Sequence, residues 1–166
     1  EQFDSTVRWA SQCPSLQYLY FSNYRDLSVK QIEQFSQHKS PIFLTVSFAG
    51  DAKEKISALS DIPKLVALNL RVGEEVASDY HRDLRKLRRL VLVNWSGSEL
   101  DSATLDSLIQ MRSLRTVRFQ SGTRPTDKFL ERISEWKQLE SIKFNNSLSK
   151  AQTELFHSSI AALDSL

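Results

Sequence analysis

Leu114-Arg-Thr-Val117-Arg-Phe119-Gln-Ser-Gly122-Thr-Arg-Pro125-Thr126-Asp127-Lys-Phe129-Leu130-Glu-Arg-Ile133 is the stretch on which the fold turns. It opens with an apolar-x-x-apolar-x-apolar frame. The end of that frame alternates with period two, as a short strand with one buried face does. Thr126 then offers a hydroxyl that can cap a helix N-terminus, and Phe129, Leu130 and Ile133 share one helical face. A strand and a helix therefore fit into a very short unit.

The frame recurs along the chain. It reads Leu16-Leu19-Phe21, Phe43-Val46-Phe48, Leu65-Leu68-Leu70, Leu87-Leu90-Leu92, Leu114-Val117-Phe119 and Leu139-Ile142-Phe144, with starts 27, 22, 22, 27 and 25 residues apart. One such frame is weak evidence, whereas six in a narrow band of spacings mark a repeat. One-sided apolar stripes lie between the frames: Val29, Ile32 and Phe35; Ile56 and Leu59; Leu105 and Leu108; Leu155, Phe156 and Ile160. Ser28, Ser102, Thr126 and Ser149 stand where N-caps are expected. Residues 1–12 read as one more helix, with Phe3, Val7 and Ala10 on a common face.

Strand–helix alternation also suits an ordinary α/β sheet. A conventional βαβ unit, however, needs about 30 residues or more, and most of these spacings are shorter. The expected fold is thus α/β: a right-handed solenoid of about six repeats, with a parallel inner sheet and outer helices. A single domain over 1–166 follows, with an N-terminal helix at 1–12, repeats at 13–150 and a C-terminal helix or cap at 151–166.

The pattern resembles leucine-rich repeats of the cysteine-containing, F-box-associated or bacterial planctomycete-like type. Cys13-Pro-Ser-Leu16-Gln-Tyr-Leu19-Tyr-Phe21 carries the opening of such a unit, and Pro125-Thr126-Asp127-Lys-Phe129-Leu130-Glu-Arg-Ile133 carries the start of its helix. Leu100-Asp101-Ser102-Ala-Thr-Leu105-Asp-Ser-Leu108 is a looser version. The resemblance implies a protein-interaction module or scaffold. The chain departs from the family at the turn after each frame, where the regular Asn or Cys is missing.

Composition bounds the function. The 166 residues are 40% apolar and 25% charged, with a formal net charge of +2. That balance is ordinary for a globular domain and too slight to imply nucleic acid. No apolar run approaches the roughly 20 residues of a membrane span, and a cytoplasmic location is expected. The single cysteine, Cys13, has no intrachain disulfide partner and is expected to be buried.

Alternate positions of the strands should face outward, on the concave side. Arg71, Arg89, Arg118 and Lys143 would form a basic stripe there, suited to an acidic protein partner. Tyr18, Tyr20 and Trp95 are the aromatic anchors expected of a binding hot spot. Leu84-Arg-Lys-Leu-Arg-Arg-Leu90 reads as core leucines with surface cations between them.

Catalytic motifs are weak. His38, His81 and His157 share no pattern with Cys13, and no phosphate-binding Gly loop, CxxC or HExxH occurs. Asp79-Tyr-His81-Arg-Asp83 is the one dense polar cluster that an enzyme or metal site could use, and a surface segment explains it more simply. The expectation is a non-enzyme without cofactor that binds a protein, neither nucleic acid nor membrane. Self-association through the repeat ends is an alternative.

Overall fold

A computed structural model describes residues 2–13, 19–21, 26–73, 80–97, 99–146 and 148–164. The chain forms an α/β fold with a parallel sheet and flanking helices. The sheet has six strands: β1 (Leu19–Phe21), β2 (Ile42–Phe48), β3 (Leu65–Val72), β4 (Leu92–Ser96), β6 (Thr116–Phe119) and β8 (Ser141–Phe144). They lie side by side in chain order, all parallel. Two short strands, β5 (Glu99–Leu100) and β7 (Arg124–Pro125), pair in a separate parallel ladder. The helices are α1 (Gln2–Gln12), α2 (Val29–Glu33), α3 (Ala52–Ser60), α4 (His81–Leu84), α5 (Ser102–Gln110), α6 (Asp127–Glu131) and α7 (Lys150–Asp164), and each touches the next along the chain. No helix among the described residues is long and apolar enough to cross a membrane.

The strand register corrects the sequence frames in three units, the first, the second and the fourth. One row of partners runs Phe21, Leu44, Leu68, Val93, Val117, Ile142, and the next runs Val46, Leu70, Trp95, Phe119, Phe144. The true fourth frame is therefore Leu90-Val93-Trp95. Successive members of the first row lie 23, 24, 25, 24 and 25 residues apart, a tighter repeat than the sequence frames gave. In the second unit Ile42, Leu44, Val46 and Phe48 face the core, and Phe43 shares a row with Ala67, Leu92, Thr116 and Ser141 on the other face. Alternation along a strand is strict, so a frame one residue out reverses every side chain.

The core is one continuous cluster of these inward residues and the helix faces above them. Leu105, Leu108, Phe129, Leu130 and Ile133 fill it as expected, and Trp95 and Trp136 are its largest members. Aromatic rings step through it: Phe48 meets Tyr80 edge-on at 6.0 Å, Phe119 stacks on Phe144 at 4.8 Å, and Phe144 meets Phe156 of α7 edge-on at 5.2 Å. Leu84, Leu87 and Leu90 are buried, while Arg85, Lys86, Arg88 and Arg89 are exposed. Cys13 is half-buried, not enclosed.

Helix starts follow local chemistry. Thr126 accepts from Phe129 N–H at 3.2 Å. Ser149 and Gln152 form a reciprocal pair, each side chain accepting the other's backbone N–H at 3.2 Å, and Gln31 accepts from Ser28 N–H at 2.9 Å. The cap of α5 is Asp101, one residue before Ser102; its carboxylate takes Thr104 N–H at 2.8 Å. A carboxylate also favours the positive end of the helix dipole.

At the turns after the strands, side chains reach back to neighbouring backbone carbonyls. Ser96 donates to the carbonyl of Leu70, Thr123 to that of Trp95, and Asn146 Nδ2 to that of Thr123. In the second unit buried Lys55 Nζ donates to Ser47 O at 2.9 Å and pairs with Asp26 and Asp51. Each unit thereby satisfies carbonyls of the one before it, or of its own strand end, which would be costly if left bare. Gly97 turns sharply here, with φ +80; a Cβ on it would lie 2.2 Å from the carbonyl oxygen of Val72.

Candidate functional site

One sheet face is closed by the core, and the other carries the residues that a partner could reach. Beyond the row of Phe43, Ala67, Leu92, Thr116 and Ser141, the central row of this face is Thr45, Asn69, Asn94, Arg118 and Lys143, of which Thr45 is buried. A third row holds Ser47, Arg71 and Ser96. Leu92 and Phe43 are half-buried on this face, while Arg71, Arg118 and Lys143 are exposed. Phe43, Ala67 and Leu92 thus lie in one row, and the neighbouring row runs from the amides Asn69 and Asn94 to the cations Arg118 and Lys143.

This arrangement breaks up the predicted basic stripe. Arg118 and Lys143 are direct register partners. Arg71 stands in another row and two strands away, roughly 12 Å from Arg118 by strand spacing and rise, so the three do not form one clamp. Arg89 is not on the sheet at all; it lies in the turn before β4 and is exposed. Trp95 cannot be a surface anchor. It points into the core at 1% exposure, and its Nε1–H donates to Gly97 O at 3.2 Å. Tyr18 lies outside the described residues. Tyr20 in β1 is the register partner of Phe43. Val91 is 44% exposed just before β4.

The residues of this face missed by sequence reasoning are Asn94, Phe43 and Leu92. Asn69 Nδ2 donates to Thr45 Oγ1 at 3.4 Å. Asn94 Oδ1 is enclosed with no partner. The three rows could have been found only by fixing the register of the fourth unit.

The polar cluster at 79–83 does not assemble a site. Asp79 is outside the described residues, Tyr80 and His81 are buried, and Asp83 pairs with Lys86 at 2.8 Å. No group of three His, Cys, Asp or Glu side chains among the described residues could hold a metal. His81 instead abuts the α5 cap: its Nδ1 lies 3.3 Å from Thr104 Oγ1, which donates to Asp101 at 2.8 Å. Burial pushes the His81 pKa below its ordinary 6.5, against a weaker upward pull from Asp101. Burial works against the charge of Asp101, but the two Thr104 hydrogen bonds and His81 together hold its carboxyl below its ordinary value. This triad fastens α4 to α5, and its geometry serves packing.

No family model matches the chain, and no curated protein matches it.

Proposed function

We propose that the chain is a leucine-rich-repeat-like solenoid that acts as a protein-interaction module and not as an enzyme, with its partner lying across the open sheet face. The observation that carries this is the strand order. Six strands follow one another without the reversal that creates a ligand crevice in doubly wound sheets, and each unit touches its chain neighbours. Repeat stacks of this sort offer a continuous face instead of a pocket. The face supports a mixed interface, with an apolar row at Phe43 and Leu92 and a cationic pair at Arg118 and Lys143 for an acidic group. The loss of Arg89 and Trp95 from the face shrinks the basic component, so the acidic character of the partner rests on that pair.

The test is an affinity capture with the wild-type chain, followed by titration of the captured protein against R118E/K143E and L92D variants. Loss of binding in both variants, with unchanged circular dichroism, supports the reading. A partner whose affinity is unmoved by either variant overturns it.

A further inference from the structure

Cys13 and His38 share no motif in the sequence, yet the fold brings both to one cavity. The end of α1 and the turns that follow α2 bound a space of about 590 Å3, with Arg8, Cys13, Gln34, His38, Lys39 and Ser40 in its wall. That is room for a small molecule. Cys13 is the one cysteine of the chain, and it is half-buried here. Arg8 and Lys39 are exposed, and no carboxylate among the described residues lines the cavity.

Two polar atoms of the wall residues lack a hydrogen-bond partner. His38 is 4% exposed. Its Nδ1 accepts the backbone N–H of Ser40 at 3.2 Å. A backbone N–H can only donate, so in the neutral ring the proton sits on Nε2. That Nε2 is enclosed without a partner, and so is Oε1 of Gln34. The first is a donor and the second an acceptor, and an enclosed polar group left bare is costly. A peptide group supplies the complement of both: a carbonyl for His38 and an N–H for Gln34.

We infer that this cavity is a thiol–disulfide exchange site, which takes the disulfide of a small anionic peptide of the glutathione kind onto Cys13. The Cys13 thiolate attacks one sulfur of the incoming disulfide. The old S–S bond breaks, and a new one joins Cys13 to half of the molecule. The other half leaves as a thiolate and takes up the proton that Cys13 gave up. Arg8 and Lys39 draw the carboxylates in, while His38 and Gln34 meet a peptide group. The inference does not depend on the sheet-face reading, since none of these residues lies on that face.

The test follows, by intact mass, how fast the whole reduced chain takes up each of three disulfides. They are oxidised glutathione, dithiodipropionate, which has equal net charge and no peptide group, and the neutral bis(2-hydroxyethyl) disulfide. N-acetylcysteine amide is the reference thiol. We expect one adduct per chain, and a preference for oxidised glutathione over the neutral disulfide at least about tenfold above that of the reference thiol. R8E/K39E should bring this preference down to the reference or below. Oxidised glutathione should also outpace dithiodipropionate severalfold, again relative to the reference, and Q34L should erase that difference. If charge reversal perturbs the fold by circular dichroism, R8Q/K39Q carries the same comparison. Absence of an adduct, preferences equal to those of the reference thiol, or preferences unmoved by these variants would each overturn the proposal.

Discussion

Gly97 and Trp95 show how much a single position decides. At Gly97 the backbone is left-handed and passes under the Val72 carbonyl, where a Cβ would come within 2.2 Å. Gly97→Ala should therefore cost more than the roughly 1 kcal/mol of the conformational penalty alone, read as a lowered urea midpoint. Trp95→Ala should remove about 3–5 kcal/mol, a large part of what holds a domain of this size together; the variant should lose its cooperative unfolding transition before any binding is tested. His81 gives a pH signature. Its folded pKa lies below the unfolded 6.5, so the unfolded chain takes up a proton first as pH falls. Stability should then drop on going below about pH 6.5, and Asp101, also held low, adds a second loss further down. The urea midpoint of H81Q should be flatter than that of the wild type between neutral and mildly acidic pH; parallel curves would show that His81 is not responsible.

At the level of elements, strands and caps were legible to different degrees. Thr126 and Ser149 announced their helices because a cap is a local arrangement, set by residues three apart. Thr126→Ala should weaken α6 by about 1 kcal/mol, measurable in thermal unfolding. The fourth strand was misread because Leu84-Arg-Lys-Leu87-Arg-Arg-Leu90-Val-Leu92-Val93-Asn-Trp95 satisfies the same frame at two phases sharing Leu90. The frame has no term for the turn that must precede the strand, so it could not see that Leu87 closes that turn. In the second unit nearly every residue from Ile42 to Phe48 is apolar, and Phe43 could be put on either face until its neighbours across the sheet fixed the register. The candidate site inherited these errors: Arg118 and Lys143 came from well-phased strands and stayed together, whereas Arg89 and Trp95 came from the misphased one.

For the molecule as a whole, Lys55 links units in a way that no periodicity reveals. Its ammonium is buried, while its partners Asp26 and Asp51 are about half exposed. Lys55→Met should cost about 2 kcal/mol, between the values for exposed and fully buried pairs, and should destabilise the second unit first, as loss of amide protection in β2. The parallel sheet, the intervening helices and the approximate unit length could all be read from the chain, because a repeat multiplies a weak local signal. Which face and which edge are available to partners could not, because that depends on register across the sheet.

The near-constant advance of 23 to 25 residues from one strand to the next has a mechanical meaning. A chain pulled by its two ends in an optical trap would load the outermost strands first, since each strand is held only by its immediate neighbours. Extension should then arrive in steps, one unit detaching at a time and each releasing about 80 Å of contour length. The molecule would yield like a folded ruler opened joint by joint, with Gly97 and its neighbouring turns as the joints.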